Sequence, residues 1–414
     1  MNLLESKYIR KTNETKNIVI DGRVNNFPVY EIELEPLFYN DKNDRIITWS
    51  SQETDYPLEE YRKKDFEKYN NLFEKWIFES NQMALNRTKQ NIQLLGQIEA
   101  GVVLNDGRVI DGNRRLTCLR MLQKENSSLP NKYKFKAVIL DLNYENNSKK
   151  IKLLELNIQI GTDEKVSYNP IESMIGAYND IVLKQTVTIE EYAEATRESV
   201  KKIKEKIEQS EFLIEFLEFI GAKNKYYIAR ENSLHDPILE SVKIIKNAQK
   251  QEYSEDQIND LKNILFSNLL LVQSGDKTRF IRKITKIIQN KEFGNKLIRE
   301  EQGIVDYVLD TLDNYVDENH NIKDLDSFLG EIANSNESEK VKQLPEKLIE
   351  QISLKEAENA PLKLIVNAIE KIDEIDNEII SKLDFDKINE LIKPIEVLIK
   401  KSTKLKEMLK EINE

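Results

Sequence analysis

After Pro170 the sequence stops mixing strand-like and helix-like stretches. From Ile171 to Glu414 almost every segment spaces its apolar residues by three and four, the period of an amphipathic helix. Before it, short alternating runs, turns and helical stretches are interleaved. A chain divided in this way buries a small sheet against a few helices and builds the remainder as a helical body. The expected fold is an α+β N-terminal domain with short strands over 1–165, followed by a large all-α region. Within that region the sequence divides into helical domains at 166–235 and 236–330, a linker or loop at 331–345, and a C-terminal helical hairpin or oligomerisation segment at 346–414.

Val29 to Leu34, VYEIEL, alternates apolar and charged residues and reads as a half-buried strand. After the turn-rich Tyr39–Arg45, "IITW" reads as a second short strand. Leu58 to Asn86 carries Tyr61, Phe66, Tyr69, Phe73, Trp76 and Ile77 at helical spacing, a stripe best explained as core. Thr88 to Gly101 reads as a helix closed by a glycine. Phe135 to Leu142 is a strand and Ser148 to Gly161 begins as a helix. Asp317 to Lys340 is polar and weakly periodic, a linker or ordered loop. Leu362, Ile365, Ile369, Ile372, Ile379 and Leu383 mark one late amphipathic helix. Ile388, Leu391, Ile395, Leu398, Leu405 and Leu409 mark another, interrupted by Pro394; the two fit a hairpin or a short coiled coil.

Composition removes several classes of function. With a net charge of −11, contact with nucleic acid over the whole surface is excluded, so any DNA-binding face is local. No run approaches ~18 uninterrupted apolar residues, and the opening Met1–Lys7 lacks the apolar core of a signal peptide. The expected compartment is the cytoplasm, without a membrane partner. The single cysteine, Cys118, has no internal disulfide partner, and His235 and His320 are far apart in sequence. No pair of Cys or His has zinc-ligand spacing, so no metal site is expected.

One unit concentrates the chemistry. In "VVLNDGRVIDGNRRLTCLRML", Asn105-Asp106-Gly107 is a hairpin turn between strand-like VVLN and RVI. Asp111-Gly112-Asn113 then breaks the second strand, and Arg114 and Arg115 open a helical run. The first N–H groups of a helix lack intrahelical partners and carry partial positive charge. Glycine lets an anion approach that backbone closely, and arginine forks suit phosphate oxygens. Asp111 is placed to orient an arginine or to bind a sugar hydroxyl or a metal. The alternative is a plain hairpin whose arginines pair with carboxylates.

"VIDGNRRLTCLRML" resembles the Gly-Glu-Arg-Arg box of the ParB family, within the ParB/sulfiredoxin superfamily. Other stretches follow in family order. "FPVYEIELEPLFYNDKNDRI" resembles its first strand and loop, ending at Arg45. "TKQNIQLLGQIEAGVVL" resembles the helix before the box. "LELNIQIGTDEKVSYNPIESMIGAYNDI" resembles its Glu-Asn-x-Gln-Arg and Asn-Pro-x-Glu segments. The resemblance spans 27–220 and implies a nucleotide-binding fold: CTP or ATP with Mg²⁺, tied to DNA. It implies that Arg45, Gly112, Asn113, Arg114 and Arg115 hold the phosphates, with Asn157 and Gln159 near phosphate and Mg²⁺. Asn169, Pro170 and Glu172 would form the joint into the helical domain. Asn113 stands where the family has glutamate, Leu156 replaces the acid before Asn157, and Ile160 replaces an arginine. Asp111, Glu155 and Asp163 are the acids left to replace them, with Asp111 the candidate catalytic residue. The sulfiredoxin cysteine has no counterpart at Asn113, and Cys118 is read as a small buried hydrophobe.

"VTIEEYAEATRESVKKIKEKI" falls where a ParB helix-turn-helix begins. Its second helix, near Glu198 to Ile207, would enter a major groove with Arg197, Ser199, Lys201, Lys202 and Lys204 available to phosphates. The turn lacks the usual glycine. The basic stretch Lys277 to Lys291 reads as a solvated helix face. Together these imply a nucleotide-binding, DNA-associated protein of mobile-element segregation or anti-phage defence. It would be a homodimer through its C-terminal helices, with a possible partner protein from that system. An NTPase or a metal-dependent nuclease using the DGNRR head is the first alternative. A non-catalytic helical scaffold for a protein partner is the second.

Overall fold

The computed structural model describes residues 2–20, 22–53, 57–126, 128, 133–161, 169–272 and 276–413, the side chains of 159–161 excepted. They form two compact units, Met1–Glu346 and Lys347–Glu414.

In the first unit, β1 (Ile9–Ile20), β2 (Arg23–Ile32), β3 (Phe38–Tyr39), β4 (Gly101–Leu104), β5 (Arg108–Asp111) and β6 (Phe135–Leu140) build one mixed sheet. Their order is β1-β2-β6-β4-β5-β3. β4 runs parallel to β6, with Val102 opposite Val138, and antiparallel to β5; β3 is parallel to β5. The period of two sorts the core into layers. Val103, Val109, Ala137 and Ile139 join one buried cluster with Tyr69, Phe73, Trp76 and Leu116. Val102, Leu104, Ile110 and Val138 join another with Ile151 and Leu154.

The helices in chain order are α1 (Ile47–Glu53), α2 (Leu58–Lys64), α3 (Phe66–Ser80), α4 (Gln82–Leu95), α5 (Asn113–Glu125) and α6 (Tyr144–Gly161). Then follow α7 (Pro170–Tyr178), α8 (Ile189–Thr196), α9 (Val200–Phe219), α10 (Tyr227–Glu231), α11 (His235–Lys250) and α12 (Glu255–Leu271). The last are α13 (Lys277–Ile288), α14 (Lys291–Asp313), α15 (Leu325–Ala333), α16 (Glu337–Asp373), α17 (Asn377–Ile380) and α18 (Phe385–Asn413). An N-terminal α/β domain followed by a large helical body is thus the observed architecture. Most of the aromatic stripe is core: Tyr69, Phe73 and Trp76 are each at most 1% exposed, while Phe66 at the start of α3 is 39% exposed.

Three local readings change. "IITW" is helical, not a strand. Asn43 Oδ1 accepts from the Arg45 N–H at 3.0 Å and starts a 3-10 turn, Asp44–Ile46, that leads straight into α1. The long β1 and the first half of β2 were not foreseen. β1 carries Arg10, Lys11, Lys16 and Glu14 at the sheet edge and buries only Ile18, so its apolar signal is faint. Residues 325–345, expected as loop or linker, are largely helical, because Phe328, Ile332 and Val341 are fully buried. Within the 317–340 stretch a short ordered turn precedes them, closed by a bridge between Val316 and Ile322.

In the second unit Leu348 and Ile352 are buried, but beyond them the apolar residues face outward. Leu362 is 63% exposed, Ile369 53% and Ile395 51%, and α18 buries none of its residues. α18 runs through Pro394 without a break.

Candidate functional site

The DGNRR unit folds as strand, glycine, helix. Gly107 N–H closes the hairpin onto the Leu104 carbonyl at 3.0 Å. β5 ends at Asp111, and Gly112 caps α5 in the left-handed region, φ +98°. No side chain fits there: a Cβ would lie 2.8 Å from Cζ of buried Phe135 and 3.2 Å from Nη2 of Arg115. The first bond of the new helix runs from Leu116 N–H to the Gly112 carbonyl at 2.9 Å, so the N–H groups of Asn113, Arg114 and Arg115 precede the ladder. Asn113 Oδ1 is buried with no hydrogen-bond partner among the described residues.

The two arginines serve different neighbours. Arg115 pairs with Glu99 at 2.5 Å and with Asp111 at 3.0 Å, while Lys16 of β1 stands 3.7 Å from the same Asp111 oxygen. The carboxylate-paired alternative therefore describes Arg115, and Asp111 orients it. Arg114 is half-buried and its charge reaches Cys118. Burial pushes the Cys118 thiol up to about 11, with the Arg114 charge opposing, and its Sγ lies 3.5 Å from the Leu85 carbonyl. That is the small buried hydrophobe expected of it.

A second charge cluster, dispersed in the sequence, forms where the 3-10 turn and α1 meet α6, α7 and α10. Lys152 of α6, 4% exposed, holds Asp44 at 2.5 Å and Asp180 at 2.8 Å. Asp44 reaches it past α7 because residue 176 is glycine; a Cβ there would lie 2.7 Å from the Asp44 carboxylate. Thr48 donates to Glu172 at 2.7 Å and accepts from Arg230 at 3.2 Å, and Arg230 lies 3.6 Å over the Trp49 ring. Burial pushes Glu172 up to about 7, with the Thr48 hydrogen bond and the Arg230 charge opposing. Burial pushes Glu155 up to about 8, opposed chiefly by the Lys152 charge. Arg45 is half-buried within electrostatic reach of both Glu155 and Glu172.

The structure thus places Arg45 in one charge cluster and Arg115 with Asp111 in another. Asn157 is exposed on α6, one residue after Leu156, which is buried against Ala177, Tyr192 and Ile203. The Gln159 side chain and Asp163 lie outside the described residues. Asn169 caps α7, accepting from Ile171 N–H at 2.9 Å, with Pro170 in its first turn. Lys152, Asp44 and Asp180 escaped sequence reasoning; the available signal was a lysine at an inward position of α6.

The helix-turn-helix takes shape in α8 and α9. Thr188 and Glu191 form a reciprocal capping box at the start of α8. Arg197 ends α8 at φ +52°, doing the work of the missing glycine. Ser199 caps α9, accepting from Lys202 N–H at 3.2 Å, so its hydroxyl is engaged in the fold. Ile203 is buried among Tyr192, Ala193 and Ala195. On the opposite side Arg197, Lys201 and Lys204 are exposed and form no ion pair among the described residues. Lys202 is exposed but paired with Glu198 at 2.6 Å.

No protein-family model matches this chain, and no curated protein does. A solved structure, the C222₁ form of a Pnob8-like ParB-N domain, aligns over 71% of this chain and 100% of its own. The identity is 11% and the TM-score 0.32, too low to argue from.

The α5 start offers the backbone N–H groups of Asn113, Arg114 and Arg115 beside a glycine, a setting that fits phosphate; the Asn113 oxygen, an acceptor, adds nothing to it. A divalent ion fits less well. The cation shared by Asp44 and Asp180 is already the Lys152 ammonium, so Mg²⁺ would have to arrive on the phosphates themselves, as it commonly does.

Proposed function

We propose that this protein binds duplex DNA through α8 and α9, and that a nucleoside triphosphate, CTP or ATP, taken up at the Gly112-led start of α5 regulates that binding. The observation that carries the reading is the exposed trio Arg197, Lys201 and Lys204. Lys201 and Lys204, three apart, share one face of the first turns of α9, and Arg197 ends α8 two residues before the α9 cap Ser199. In a chain of net charge −11, a local cationic face is what backbone phosphates require. The resemblance of the DGNRR stretch and its flanking segments to the ParB family supports the nucleotide half of the reading. It also favours a setting of mobile-element segregation or anti-phage defence. A second copy of the chain is the expected partner, since the outward apolar residues of α16 and α18 need a cover.

The test is fluorescence anisotropy of a labelled duplex against salt, for wild type and for Arg197→Ala/Lys201→Ala/Lys204→Ala. Each lost phosphate contact is expected to lower the slope of log affinity on log salt by about 0.9. An unchanged slope removes α9 from the interface. Binding of CTP, ATP and GTP with Mg²⁺, compared with Arg114→Ala, tests the nucleotide half separately. Saturable binding lost in the variant supports it; no binding, with or without DNA, rejects it.

A further inference from the structure

Among the helices of the first unit lies a cavity of about 210 Å³, below the ~300–1,000 Å³ of drug-sized sites. Its walls are largely apolar: Phe216 from α9, Ile228 from α10, Leu234 just before α11, and Leu270 and Val272 at the end of α12, all buried; one amide, Asn232, lines it too, its nitrogen donating to the Ile228 carbonyl at 3.0 Å. Half-buried Leu329 of α15 stands at the outer side. One charged side chain lines it, Lys277 at the start of α13, 7% exposed.

Lys277 Nζ donates to the Leu269 carbonyl at 2.7 Å and to the Val272 carbonyl. It has no carboxylate partner among the described residues. An ammonium carries three protons, and two are committed to these carbonyls. The third and the net charge remain without an anion in an apolar wall. Buried charges are ordinarily paired. Among the described residues no carboxylate balances this cation.

We propose that this cavity binds a small apolar molecule bearing a single carboxylate, with the carboxylate on Lys277 and the hydrocarbon against Phe216, Ile228 and Leu270. The chemistry of the walls sets the class. A polyanion would face an apolar lining with one cation, and a neutral hydrocarbon would leave the charge uncompensated. A monocarboxylate satisfies both. Burial alone lowers the amine to about 8, which agrees with an unneutralised site. A bound anion raises it.

The probes are octanoate, octanol and octylamine, titrated calorimetrically into the full chain and, in parallel, as a shift in melting temperature. Octanoate is expected to bind saturably, about tenfold or more tighter than octanol, and octylamine not at all. In Lys277→Met the preference for octanoate over octanol disappears. Leu329→Trp, which keeps the lysine and narrows the cavity, loses both ligands and covers the case in which Lys277→Met fails to fold. Equal affinity for octanoate and octanol in the wild type overturns the proposal, as does a preference for octanoate that survives Lys277→Met or octanoate binding that survives Leu329→Trp. The absence of any octanoate binding overturns it too.

Discussion

Lys152 and Lys277 are both buried lysines, and they meet opposite surroundings. Lys152 is shared by Asp44 and Asp180, with Glu155 near enough to feel its charge. Among the described residues Lys277 donates to two backbone carbonyls and lines a largely apolar wall, with no carboxylate partner. The first belongs to a closed set of charges that ties the sheet domain to the first helices. The second leaves a charge open to a ligand. Burial by itself does not distinguish a structural lysine from a binding one; the presence of a counter-ion does.

The largest test of this contrast is Lys152→Met. It strands two buried carboxylates, and breaking a buried pair from one side costs about 3–5 kcal/mol. Urea unfolding of the variant is expected to show a loss of that order. A loss below 1 kcal/mol, on the order of a surface pair, would mean that Asp44 and Asp180 reach water when the lysine is gone.

A middle effect comes from Glu155. Its folded value, about 8, lies above the ordinary 4.5, so the fold holds the proton more tightly than the open chain does. That contribution is complete below pH 4.5 and is lost as the pH rises towards 8. Wild-type stability is expected to fall across this window, and Glu155→Gln to flatten the fall. A variant with the same pH profile as wild type would place the proton elsewhere in the cluster.

The smallest effect at neutral pH is that of Lys277→Met. It removes an unpaired charge but also two hydrogen bonds, terms of opposite sign, so the net change is expected within about 1 kcal/mol. The contrast with Lys152 then shows in the pH profile. The folded value of Lys277, about 8, lies below the ordinary 10.5, so stability is expected to rise as the pH climbs from 8 to 10.5. The variant loses that rise. A loss of several kcal/mol at neutral pH would show instead that the amine acts chiefly as a helix cap.

Which features were legible follows from how local their causes are. The Asn105-Asp106-Gly107 turn, the break at Gly112, the aromatic face of α3 and the start of α8 at Thr188 each depend on residues within one turn or one helix, and each is where the sequence places it. "IITW" misled because a four-residue apolar run suits strand and helix equally, and the deciding residue, Asn43, is a cap that precedes it. β1 was missed because an edge strand buries little. The partners of Arg115 could not be read from the sequence either, since Lys16 reaches Asp111 from a distant strand.

The sequence by itself determined that this chain is an α/β domain with a helical body, and where its glycine-led helix and its helix-turn-helix begin. Only the tertiary structure decided which charges are spent and which remain. Asp44 meets Lys152 across 108 residues of sequence, and Lys277 meets no acid among the described residues. Periodicity and turn chemistry act over a few residues and are written in order along the chain. The pairing of buried charges depends on which helices pack together, and no local pattern records that.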